Sequence, residues 1–77
     1  MKTVLVTGAT GFLGKYLVKI FVKEGYKVRA LGRNEKAGKE LEKLGAEFCK
    51  GDFTDKLLCE RYFENVNYVI HAGALST

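Results

Sequence analysis

At 77 residues the chain has room for one domain with a small core, since a chain this short buries only roughly 60% of the surface it exposes when unfolded. A composition of 47% hydrophobic and 29% charged residues excludes a disordered chain, and the apolar runs are far too short for a membrane span. The net charge of +4 would suit nucleic acid, but Lys15, Lys19, Lys23, Lys36, Lys39 and Lys43 sit among Glu24, Glu35, Glu40 and Glu42 on the polar faces of expected helices, a solvated surface rather than a basic groove.

Lys2–Thr7 is an apolar, β-branched run bounded by Gly8, which predicts a strand buried on both faces. From Gly11 to Glu24 the period turns helical, with Leu13, Leu17, Ile20, Phe21 and Tyr16 on an apolar stripe and Gly25 as the stop. YKVRAL (26–31) reads as a second strand, and GRN (32–34) as its exit. Asn34 caps a helix from Glu35 to about Leu44, and Gly45 ends it. AEFCK (46–50) is the third strand and Gly51–Asp52 a turn. Thr54 caps a third helix over Asp55–Glu64, with Leu57, Leu58, the stem of Arg61, Tyr62 and Phe63 on its core side. VNYVIHA (66–72) is the fourth strand.

The order β-α-β-α-β-α-β with short loops implies right-handed crossovers and a parallel sheet. The expected fold is α/β, half of a doubly wound nucleotide-binding sheet with strand order 3-2-1-4, spanning residues 1–77 as one half-domain. The start MKTVLVTG has no apolar h-region and does not read as a secretory leader, so the expected compartment is the cytoplasm. Cys49 and Cys59 have no second cysteine or histidine at metal-ligand spacing, which predicts reduced, partly buried core thiols and no metal.

TGATGFLG (7–14) places Gly8, Gly11 and Gly14 at the first strand-to-helix turn, on the sheet edge where such folds bind ligands. Gly8 would make the sharp turn, Gly11 would admit a pyrophosphate to the backbone, and Gly14 would let the helix pack on the first strand. The helix N-terminus there offers unpaired N–H groups and about half a positive charge. The competing reading is a tight junction with no ligand.

The spacing is G-x-x-G-x-x-G, and VLVTGATGFLG resembles the N-terminal signature of the extended short-chain dehydrogenase/reductases, which include nucleotide-sugar epimerases, dehydratases and hydroxysteroid-type dehydrogenases. GDFTD (51–55) and HAGA (71–74) agree with that family at the expected places. The resemblance implies a Rossmann half-domain binding a dinucleotide. It implies that Gly8, Thr10, Gly11, Phe12, Leu13 and Gly14 surround the pyrophosphate, that Asp52 accepts from the adenine amino group and that Phe53 meets the ring through its backbone. Ala72, Gly73 and Ala74 would lie along the ribose and nicotinamide. His71 is expected to be a packed strand-end residue, and Arg29 structural.

An NAD-preferring site places Asp or Glu at the end of the second strand. Here Gly32 is followed by Arg33, whose guanidinium pairs with a 2′-phosphate, so NADP is the expected cofactor and NAD the alternative. The resemblance also implies catalysis by a Tyr-x-x-x-Lys pair. Tyr16, Tyr26, Tyr62 and Tyr68 are followed four residues on by Ile20, Ala30, Val66 and Ala72, so no catalytic residue is expected here and the chain alone should be inactive. The readings are the cofactor-binding part of an NADP-dependent oxidoreductase or epimerase, a stand-alone dinucleotide-binding or redox-sensing module, or a self-associating fragment without ligand. Self-association through the fourth strand is expected because its edge is apolar and the first two helices share one face. Val4, Val6, Val69 and Ile70 would then be partly exposed on the other.

Overall fold

The computed structural model describes residues 1–51 and 61–72. Strands β1 (Thr3–Thr7), β2 (Lys27–Gly32), β3 (Glu47–Lys50) and β4 (Tyr68–His71) form one sheet in the order β3-β2-β1-β4, and every pairing is parallel. Helix α1 (Phe12–Lys23) joins β1 to β2, and α2 (Glu35–Lys43) joins β2 to β3. Residues 61–63 are helical ahead of β4. This is the expected half of a doubly wound sheet. Thr54, Leu57, Leu58 and Cys59, with the rest of the third expected helix, lie outside the described residues.

β1 is the inner strand. Val4 lies between Val28 and Tyr68, Leu5 between Arg29 and Val69, and Val6 between Ala30 and Ile70. Covered on both faces, all five of its residues are buried, which is why its sequence is an unbroken apolar run rather than an alternation.

The register sorts the two faces. Val4, Val6, Val28 and Ala30 form one buried cluster with Val18 of α1 and Leu41 of α2, and Leu13, Leu17, Phe21, Val22, Phe48 and Ile70 pack around it. Leu5, Leu31 and Cys49 form the opposite cluster, against Tyr62 and Val66. The first two helices do share a face. Val4 and Val6 nevertheless correct the expectation of exposure, because both are wholly buried under those helices. Side chains alternate along a strand, and the residue facing away from α1 and α2 is Leu5. Ile70, in register with Val6, is half-buried on the α1 side, and Val69, in register with Leu5, is 36% exposed.

In α1 the innermost line runs through Gly14 and Val18. Tyr16, expected on the apolar stripe, is instead 60% exposed, the stripe being rotated past it. Phe63 is likewise turned out at 38% exposure while Tyr62 packs inward. Asn34 caps α2 as expected, its side-chain oxygen accepting from the Ala37 N–H at 3.1 Å.

Arg29 is structural, as expected. Its guanidinium donates to the carbonyl oxygens of Tyr62 at 3.0 Å and Glu64 at 2.7 Å, and its Nε stands 3.4 Å from a Glu47 carboxylate oxygen. It thereby fastens the turn ahead of β4 to the middle of β2. At the amino end of the sheet, Tyr26 meets Phe21 and Tyr68 edge to face at centroid distances of 5.4 and 6.3 Å, and Lys2 Nζ donates to the Tyr68 hydroxyl at 3.2 Å. No helix among the described residues is long and apolar enough to cross a membrane.

Candidate dinucleotide site

The site is built on the turn between β1 and α1, at the carboxyl edge of the sheet. Gly8 stands at φ +66°, a left-handed conformation that glycine adopts at little cost, and it turns the chain sharply out of β1. The Ala9 N–H then donates to the Leu31 carbonyl at 2.9 Å, and the Gly11 N–H closes back on the Gly8 carbonyl at 3.2 Å. On the other side, a 2.9 Å hydrogen bond joins the Thr7 hydroxyl to His71 Nδ1. The turn is thus tied to the ends of β2 and β4.

The three glycines answer to different constraints. A β-carbon on Gly14 would run into the Gly8 carbonyl oxygen and lie 2.5 Å from the Ala9 α-carbon, so α1 could not approach β1 with any side chain there. Gly11 has neither a left-handed backbone (φ −79°) nor a crowded one, its nearest neighbour being the Gly8 oxygen at 3.5 Å from a built β-carbon. Among the described residues nothing in the packing asks for glycine at Gly11. The space a side chain would take there is open, as a cradle for a ligand lying against the backbone would leave it.

The two helix starts differ in the same direction. Asn34 caps α2 and Glu35 lies in its first turn. α1 begins at Gly11 with no side-chain cap and no acidic residue in its first turn. The N–H groups of Phe12, Leu13 and Gly14 therefore point from the positive end of the helix toward the open space at Gly11, an arrangement that accepts phosphate oxygens. The Phe12 ring is 96% exposed, whereas the Leu13 side chain packs on the core, so both residues offer the site their backbone.

At the tip of β2 the Thr10 side chain lies over Gly32, and the exposed Arg33 is the next residue along the chain. The Thr10–Gly32 contact is invisible to sequence spacing, since the two are 22 positions apart; the only sign was a glycine where a side chain is usual. Ala72 is buried at the end of β4, in the cluster beneath α1. His71 is exposed, correcting its expected packing, and its anchor is Thr7. Asp52, Phe53, Gly73 and Ala74 lie outside the described residues.

Two clefts lined by described residues lie at the opposite edge of the sheet. One of about 420 Å³ is lined by Lys2, Phe21, Glu24, Gly25 and Tyr26, and one of about 490 Å³ by Phe21, Tyr26, Asn67, Tyr68, Val69 and Ile70, both at the amino ends of the strands. One shifted group stands at this edge: Lys50 beside Glu35, in the first turn of α2, holds its carboxyl below the usual value. Burial pushes the Cys49 thiol up from its usual value, and a hydrogen bond with Cys49 raises Tyr62. Among the described residues no three His, Cys, Asp or Glu side chains converge to hold a metal.

The model of the NAD dependent epimerase/dehydratase family matches residues 4–77. The chain is 38% identical over 74 residues to the sterol-4-alpha-carboxylate 3-dehydrogenase, decarboxylating, of Dictyostelium discoideum, covering 96% of this chain and 23% of that one. Among solved structures it resembles UDP-glucose 4-epimerase from Bifidobacterium longum in complex with NAD+ and UDP (TM-score 0.81, 30% identity, 92% of this chain and 24% of that one). It also resembles AtPrR2 with NADP+ and (+)pinoresinol (TM-score 0.79, 29% identity, 92% of this chain and 25% of that one). The chain spans about a fifth of the length of the curated relatives it matches.

Proposed function

The chain belongs to the NAD dependent epimerase/dehydratase family, and from that membership we propose that it is the cofactor-binding part of an oxidoreductase, epimerase or dehydratase of the extended short-chain dehydrogenase/reductase type, preferring NADP to NAD. The observation that carries this reading is Gly11: among the described residues packing and backbone account for Gly8 and Gly14 but leave the space at Gly11 open, which supports a ligand lying there. The N–H groups of Phe12, Leu13 and Gly14 would hold the pyrophosphate, with Gly8 and Thr10 shaping the turn. A bound nicotinamide supplies hydride transfer, and this chain's own contribution is to bind and orient it.

Relatives solved with NAD+ and with NADP+ both share this fold, so the preference rests on the tip of β2. Gly32 offers no carboxylate to a ribose diol, and Arg33 offers a guanidinium suited to a 2′-phosphate. Calorimetric titration with each dinucleotide tests this. Arg33→Ala weakens NADP+ by about ten-fold or more, the loss of a charge-assisted pair of roughly 1.5–3 kcal/mol, and leaves NAD+ nearly unchanged. Gly11→Val abolishes binding of both in a protein whose circular dichroism is unaltered. Equal affinities for the two dinucleotides, before and after Arg33→Ala, would overturn the preference.

We also propose that copies of the chain associate through β4. Tyr68 and Val69 on this edge strand are 47% and 36% exposed, beside the cleft that Phe21 and Tyr26 line.

A further inference from the structure

We propose that β4 pairs with the β4 of a second copy, antiparallel and edge to edge about a two-fold axis, in a dimer that closes on itself. The proposal rests on the association through β4 proposed above and fixes its geometry and its stoichiometry.

β4 is exposed on both faces. In the sheet Tyr68 lies beside Val4 and Val69 beside Leu5. Val4 is buried under α1 and α2, and Leu5 belongs to the cluster on the opposite side. Tyr68 therefore rises on the helix face, where its ring meets Tyr26 edge to face, and Val69 points to the other. Both side chains are exposed. A partner laid on either face would cover one of them and leave the other in water. A strand added along the edge flanks both. On the helix face it also borders the cleft of about 490 Å³ that Tyr68 and Ile70 line with Phe21 and Tyr26.

The sheet has two edge strands, and they are not alike. β3 begins at Glu47 and ends at Lys50, both exposed and both in ion pairs, with Arg29 and Glu35. Charges of this kind discourage a strand from adding there. β4, Tyr68–His71, carries no Lys, Arg, Asp, Glu or Pro. A copy that offered β3 to β4 would set a charged edge against an uncharged one. It would also present its own β4 to the next copy, so the contacts would run on without closing. A copy that offers β4 uses the same surface on both sides. The two strands then run antiparallel, as a two-fold axis normal to the sheet requires, and the helices of both copies stay on one face. The edges that remain are the two β3 strands with their charges.

The test joins light scattering over a concentration series with two lysine variants and a crosslink. From low micromolar upward the mass settles at two chains and does not grow. Tyr68→Lys and Val69→Lys, one on each face, each raise the dimer dissociation constant by about ten-fold or more, because like charges meet across the paired strands. Circular dichroism checks that each is folded; where one is not, the mass and the crosslink decide. Val69→Cys, in a chain carrying Cys59→Ser, couples to itself across the dimer with a short bismaleimide, and Tyr16→Cys, exposed on α1, does not. Three results overturn the closed antiparallel pairing and leave association through β4 standing: a mass that climbs with concentration, a lysine effect confined to one face, or a Val69→Cys crosslink no stronger than that of Tyr16→Cys. A wild type of one-chain mass overturns both.

Discussion

A β-carbon added at Gly14 meets the backbone of Gly8 and Ala9, whereas one added at Gly11 stays 3.5 Å from its nearest neighbour. Gly14→Ala is therefore expected to cost roughly 3 kcal/mol, since the obstacle is main chain that must move. Gly11→Ala is expected to cost under about 1 kcal/mol, with urea unfolding as the measure for both. That Gly14 serves the packing was legible from spacing alone, and placing α1 against β1 shows what that packing meets, the main chain of Gly8 and Ala9. Cys49 illustrates a limit. Its burial could be read from its place in an apolar strand, whereas its packing beside Tyr62 brings together residues 13 positions apart on different elements. The pair has a consequence for pH. Both groups titrate above their usual values of 9.0 and 10.0, so the folded protein keeps protons that the unfolded chain releases. The stability this contributes is complete below the unfolded thiol's pKa and is lost as pH rises through the raised ones. Urea midpoints should fall as pH rises above about 8.5, and fall less steeply in Cys49→Ala.

Between elements, Arg29 does the work of a fastener. From the middle of β2 it holds the carbonyl oxygens of Tyr62 and Glu64 while paired with Glu47 on β3. Arg29→Met keeps the stem and removes the donors, and a loss of about 2 kcal/mol in unfolding free energy is expected. An unchanged value would mean that water replaces the guanidinium at no cost. Element type and order were legible because strand runs and helical stripes alternate between glycine stops. Facing was not. In α1, Leu13, Tyr16, Leu17, Val18, Ile20, Phe21 and Val22 supply apolar residues around more than half the circumference, so the period fits two stripes, and the sheet selects the one through Val18. In β1 both faces are apolar, so the sequence cannot say whether Val4 and Val6 or Leu5 lies beneath α1.

At the scale of the whole molecule, β3 and β4 are the two edge strands of the sheet, and Tyr68 and Val69 of β4 are exposed. Size-exclusion chromatography with light scattering at low micromolar concentration is expected to show a mass of two or more chains. Val69→Lys, which places a charge on the edge, is expected to return it toward one. A wild type of one-chain mass would refute association through this strand. The position of β1 carries a different consequence, for the chain as it is made. It is synthesised before β2, β3 and β4, yet it lies between β2 and β4 in the sheet, and its partner across the Thr7–His71 bond comes 64 residues later. At about 5–20 residues per second of translation, one side of β1 waits on the order of several seconds for β4. During that interval the most apolar strand of the nascent chain has β2 on one flank and nothing on the other. Of the four strands, the one that ends in the glycine turn is thus also the one that waits longest for its second neighbour.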